Sequence, residues 1–115
     1  MDRISQLHEL HDGYNLEDFD DKLMPITLLI TRNRSKDGIY EYSGRKDWSP
    51  IVERLYKATI TISDGCWPEG IVEDALLHEM IHQYQCEVLN VVPHHDKQFN
   101  DMCEVLEDKY GLDIK

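Results

Sequence analysis

The stretch LLHEMIHQYQ, residues 76–85, sets two histidines and a glutamate in an otherwise apolar run. His78 and His82 are four positions apart, so on an α-helix they stand one above the other, with Cβ atoms about 5–6 Å apart. Two imidazoles at that spacing can converge on one ion at about 2.0–2.1 Å, the usual zinc–nitrogen distance. Glu79 lies about 100° further round the helix, badly aimed as a ligand but close enough to reach a water held on the metal. This is the H-E-x-x-H pattern, with Glu79 as general base. Leu76, Leu77, Met80 and Ile81 make the surrounding helix apolar. Uncompensated polar groups buried there would cost roughly 2–7 kcal/mol, and a metal ion relieves that cost. With six histidines in the chain, the competing explanation is a chance pentapeptide whose histidines are satisfied by ordinary hydrogen bonds.

A catalytic zinc takes three protein ligands and keeps one position open. Downstream lies Pro93-His94-His95-Asp96-Lys97-Gln98-Phe99. A short loop after the motif helix would let the chain double back, and on geometry alone either His94 or His95 can supply the third nitrogen. His8 and His11, at i,i+3 spacing near the start, read as surface or packing residues.

The elements that must position these groups follow from periodicity and turn signals. Ile4, Leu7, His11 and Tyr14 mark a first helix over residues 3–14, with Gly13 near its end. The acidic run Glu17–Asp21 leads to Pro25. Ile26–Arg32 is rich in β-branched residues and reads as a strand; Ser35-Lys36-Asp37-Gly38 is a turn signal, and Ile39–Ser43 reads as the returning strand of a hairpin. Residues 50–57 are ambiguous between a short helix and irregular chain. Thr59–Ser63 alternates polar and apolar, as a strand with one buried face does. One helix is then expected over 68–89, with Pro68 in its first turn and Glu69, Glu73 and Asp74 at its positive end. A last helix over 96–110 carries Phe99, Met102, Cys103, Leu106 and Tyr110 on one stripe and stops at Gly111. The expected architecture is a single α+β domain spanning 1–115.

Composition narrows the classes. The net charge is −11, from 23 acids against 12 bases, which opposes binding to a phosphate backbone. The charge is uneven: Arg32, Arg34, Lys36, Arg45, Lys46, Arg54 and Lys57 face only Asp37, Glu41, Asp47 and Glu53, a local +3 that reads first as a solvated loop region. Cys66, Cys86 and Cys103 are odd in number and lack CxxC spacing, which argues against a disulfide framework or a cysteine-rich zinc ribbon; each is expected as a small buried hydrophobe. No apolar run approaches the roughly 20 residues of a membrane span. Met1–Ser5 lacks the apolar stretch of a signal peptide, so a cytoplasmic protein is expected.

Three stretches together resemble the SprT-like zinc metallopeptidases, the family that includes Spartan. YNLEDFDDKLMPITLLI (14–30) is similar to the family's helix-to-strand entry, with Met24 between Leu23 and Pro25. ITISDGCW (60–67) resembles the strand before the active-site helix, and ALLHEMIHQYQ (75–85) that helix itself. The family continues to a third histidine in an H-G-x-x-F pattern, and His95-Asp96-Lys97-Gln98-Phe99 matches it except that Asp96 replaces the glycine. The resemblance covers about residues 4–111. It implies a minimal zincin-like core, His95 rather than His94 as third ligand beside His78 and His82, Zn²⁺ as cofactor, and hydrolysis of peptide bonds. It also implies protein substrates, which for the best-known members are proteins crosslinked to DNA. No counterpart of the DNA-binding parts those members carry, such as a zinc ribbon, is expected within residues 1–115.

On that reading Glu79 takes the proton of the zinc-held water and delivers it to the leaving amine. An extended peptide could lie along a sheet edge. Tyr40, Tyr42, Arg45 and His94 are the candidates for steadying the oxyanion. The competing reading is a metal-bearing binding or regulatory module without catalysis that engages a basic protein partner. Glu79 speaks against it, since a structural site needs no general base.

Overall fold

In the computed structural model residues 2–43 and 57–115 are described. Helix α1, Arg3–Asp18, starts from Asp2, whose carboxylate accepts the Ser5 N–H at 2.7 Å. It buries Leu7, His11, Tyr14 and Asn15, a stripe that carries the helix one turn past the boundary expected at residue 14. Gly13 is simply absorbed into its interior. Beyond it Asp20 and Asp21 adopt left-handed φ of 54° and 57°. The buried Asn15 side chain holds that reversal, pairing with both the N–H and the carbonyl of Leu23 at 3.0 Å.

Three strands follow, β1 (Thr27–Thr31), β2 (Gly38–Ser43) and β3 (Lys57–Ser63), in one sheet of order β1-β3-β2. β1 runs parallel to β3, with Leu28 beside Ile60, and β2 runs antiparallel to β3, with Tyr40 beside Ile60. The β1–β2 hairpin expected from Ser35–Gly38 therefore does not form. Ile60 and Ile62 are fully buried and Ser63 with them, so β3, the most buried of the three strands, takes the central position that a β1–β2 pairing would deny it. The connector instead crosses the end of β3: Ser63 N–H donates to the Asp37 carbonyl and Asp64 N–H to that of Thr31, both at 2.8 Å. Arg34 pairs with Asp64 at 2.9 Å across the same crossing.

The helix expected over 68–89 is broken. A short α2, Cys66–Glu69, ends at Gly70, and α3 runs from Val72 to Glu87. Gly70 has φ of 70°, a left-handed backbone that stops α2 and reorients the chain before α3 begins. α3 is the core of the molecule: Leu76, Leu77, Met80 and Ile81 are fully buried between the sheet and the helices on either side. The last helix, α4 (Lys97–Tyr110), is capped by Asp96, which accepts the Phe99 N–H at 3.0 Å, and ends at left-handed Gly111. Its buried stripe of Phe99, Cys103 and Leu106 matches the expected one, with Met102 and Tyr110 at its margins.

The described residues thus form four helices and a mixed sheet, an α+β fold. None of these helices is long and apolar enough to cross a membrane. Cys66 and Cys103 are buried and Cys86 is half-buried; none forms a disulfide. Residues 44–56, with Arg45, Lys46 and Arg54 of the basic stretch and most of the ambiguous segment, lie outside the described residues.

Gly70 tests the broken helix. A Cβ there would meet nothing within 4 Å, so only the backbone would resist it. Gly70→Ala should cost about 1 kcal/mol in denaturant unfolding. A stabilised variant, as expected for a glycine inside a continuous helix, would restore the unbroken element.

Candidate metal centre

α3 carries His78 and His82 on the face turned towards the loop that precedes α4. That loop is tied down by Gln85, a fully buried side chain one turn beyond His82. Its Oε1 accepts the His94 N–H at 3.2 Å, and its Nε2 donates to the His94 carbonyl and to Gln98 Oε1, both at 2.9 Å. Clamping the His94 backbone delivers His95 to the two helix histidines. Phe99, from the first turn of α4, forms a floor under all three rings, with centroid distances of 4.9, 4.7 and 4.6 Å to His78, His82 and His95.

The three Nε2 atoms converge. His95 Nε2 lies 3.1 Å from that of His82 and 3.2 Å from that of His78. Nitrogens bound tetrahedrally at about 2.0–2.1 Å would stand about 3.3 Å apart, so the spacing suits one small ion. The tautomers agree. A carbonyl oxygen only accepts, so the 2.7 Å contact of His78 Nδ1 with the Ile114 carbonyl places a hydrogen on Nδ1 and leaves Nε2 with its lone pair. Gln85 Oε1 is fixed as an acceptor by the His94 N–H, so His82 Nδ1, 2.9 Å away, is a donor too. Burial holds both imidazoles below their usual pKa range and so favours the neutral, metal-ligating form. His78, His82 and His95 are a group that could hold a metal ion. A set of three nitrogen donors, each oriented from behind or below, fits such an ion.

Glu79 is buried beside them, with Oε2 4.0 Å from His78 Nε2. Burial pushes its carboxyl up to about 7, against the Tyr40 backbone N–H and the charge of Lys36, which both favour the anion. β2 passes very close here. A Cβ on Gly38 would stand 3.2 Å from Glu79 Cγ and 3.3 Å from its Oε2, so a larger residue there would press on the carboxylate and require it to shift by a few tenths of an ångström. The result is a cleft of about 660 Å³ that takes in the three histidines and Glu79. Gly38, Ile39 and Tyr40 of β2 line one side, and Ile71, just before α3, and Ala75 of α3 join residues 113–115 on the other.

Of the oxyanion candidates, Tyr40 lines this cleft. Tyr42 stacks on Tyr40 and is largely exposed. His94 turns away, its Nε2 3.1 Å from Asp96 Oδ2 and its Nδ1 against the Val92 carbonyl. Arg45 lies outside the described residues. His11 is a packing residue, buried with Nε2 2.8 Å from Gln83 Oε1, and His8 is exposed on α1. Sequence reasoning missed Gln85, Gly38 and the Ile114 carbonyl. A glutamine three positions after His82 in an apolar helix was a readable signal; a main-chain carbonyl carries none.

In comparisons with known proteins, no family model matches this sequence, and no curated protein matches it either.

If the centre is as built, His95→Ala should weaken zinc binding by more than the roughly 10–100-fold that loss of an outer-shell partner brings. His94→Ala should leave it unchanged. Equal zinc affinity in wild type and His95→Ala, measured by chelator competition, would remove His95 from the ligand set.

Proposed function

We propose that this chain is a zinc-dependent metalloendopeptidase of the SprT-like, zincin-type kind, with His78, His82 and His95 holding the metal and Glu79 as general base. The observation that carries the reading is the convergence of three imidazole nitrogens beside a buried carboxylate in one open cleft. Three nitrogen donors suit zinc's preference for nitrogen and sulfur, and leave a fourth position for chemistry. When bound, zinc supplies Lewis acidity to the scissile carbonyl and a water acidified towards neutral pH.

Glu79 accepts a proton from the attacking water and returns it to the leaving amine. Its burial favours that exchange: a carboxyl near 7 takes and gives a proton more evenly than one at the ordinary value. The Tyr40 N–H and the close passage of Gly38 hold the carboxylate to one side of the histidines. β2 is an outer strand of the described sheet and borders the cleft, so an extended peptide could pair along it through main-chain hydrogen bonds. Recognition of that kind selects for unfolded or extended protein segments rather than a particular side chain. The Tyr40 hydroxyl is the candidate donor to the oxyanion.

For substrates crosslinked to DNA the support is the family resemblance alone, and a net charge of −11 opposes it. The same charge favours the competing reading, a metal-bearing module that holds a basic partner without cutting it. Glu79 separates the two. Glu79→Gln should keep its zinc while cleavage of an unfolded protein such as casein falls by about 10²–10⁴-fold. Unchanged cleavage in that variant would overturn the role of Glu79. Zinc binding with no cleavage by the wild type would favour the binding module.

A further inference from the structure

Beyond Gly111 the chain turns back over the two helices that build the centre. Asp113 N–H donates to Asp74 Oδ2 at 2.9 Å, in the first turn of α3. Glu107 Oε2, on α4, accepts from the N–H of Ile114 at 2.7 Å and of Lys115 at 3.3 Å. Lys115 Nζ reaches Glu104 Oε1 at 3.0 Å, and the Ile114 side chain is 2% exposed in the core. These ties set the Ile114 carbonyl 2.7 Å from His78 Nδ1.

We propose that residues 113–115 are a strap that positions His78 for the metal, so that docking of the strap and filling of the centre strengthen each other. The inference rests on the metal reading above and adds Ile114 and Glu107 to it as positioning residues. His78 Nδ1 needs an acceptor to keep its hydrogen there, because which ring nitrogen binds metal is set by the hydrogen bond the other makes. His82 obtains its acceptor from Gln85 on its own helix, whereas His78 depends on a segment 36 residues away that nothing else in α3 replaces. Without the strap the His78 ring can rotate or carry its hydrogen on Nε2, and either change removes a ligand. Linkage makes the effect reciprocal: whatever affinity the docked strap adds for the metal, the metal adds for docking.

Two variants test this. A chain ending at Leu112 lacks the carbonyl outright, and Glu107→Ala keeps it but unties the strap; Glu107→Gln, which retains an acceptor oxygen, is the conservative control. Zinc affinity, read by chelator competition, should fall by about 10–100-fold in the first two and recover largely in the third. Nitrogen-15 imidazole spectra of the metal-free proteins should show His78 losing its Nδ1–H form while His82 keeps it, a change that general loosening would not confine to one ring. Zinc should also slow hydrogen exchange at the Ile114 and Lys115 amides of the intact chain. Zinc affinity within twofold of wild type in both disrupted proteins, or an unchanged His78 tautomer, would overturn the strap. The tautomer is read without metal, so a wild type that failed to bind zinc would reject the proposed function and leave this test intact.

Discussion

Two hydrogen bonds at the back of two imidazoles decide what this site can be. The Ile114 carbonyl and Gln85 Oε1 each hold a hydrogen on the Nδ1 of a histidine, which turns two Nε2 lone pairs towards the same point. His95 brings a third nitrogen to that point and can donate one hydrogen there at most, so it can satisfy only one of its neighbours at a time. Polar groups brought together around such a deficit in a half-buried position are expensive unless something answers them. A cation does so for all three at once.

The rest of the molecule reads as the apparatus for that convergence. α3 divides its polar residues between two tasks. His78, Glu79, His82 and Gln85 serve the cleft, whereas Gln83 and Glu87 face α1 and the segment after it. Gln83 bridges His11 and the Met24 carbonyl, and Glu87 accepts the Met24 N–H at 2.8 Å and the Gln83 amide at 3.0 Å. Every buried side-chain polar atom among the described residues has a hydrogen-bond partner. A fully satisfied network of this kind rigidifies the helix that carries the ligands. β2 then supplies the opposite wall, and Gly38 admits it to within contact of the general-base candidate.

Local signals made part of this legible beforehand. The stripe of α4 with its Gly111 stop and the alternation of β3 each depend on residues close in sequence, and the structure has them where local signals put them. The convergence of the histidines was partly foreseeable: four-residue spacing placed His78 and His82, a short loop left His94 or His95 for the third, and only the family resemblance at His95–Phe99 pointed to His95. What escaped was non-local or main-chain. Strand order turns on whether Ile60 and Ile62 take the centre of the sheet, a competition between strands that a turn signal at Ser35–Gly38 does not register. The break at Gly70 escaped because the apolar pattern continues across it, and a helical pattern tolerates an isolated glycine as readily as it ends at one. The role of the segment after Gly111 was hidden because its contribution is a carbonyl, which every residue owns.

The central claim is a centre of three imidazole nitrogens built to take zinc. X-ray absorption at the zinc edge of the loaded protein reads that directly. The account predicts three imidazole nitrogens at about 2.0–2.1 Å with one further light atom, and no sulfur. Sulfur scattering at about 2.3 Å, or fewer than three imidazoles around the metal, would contradict it.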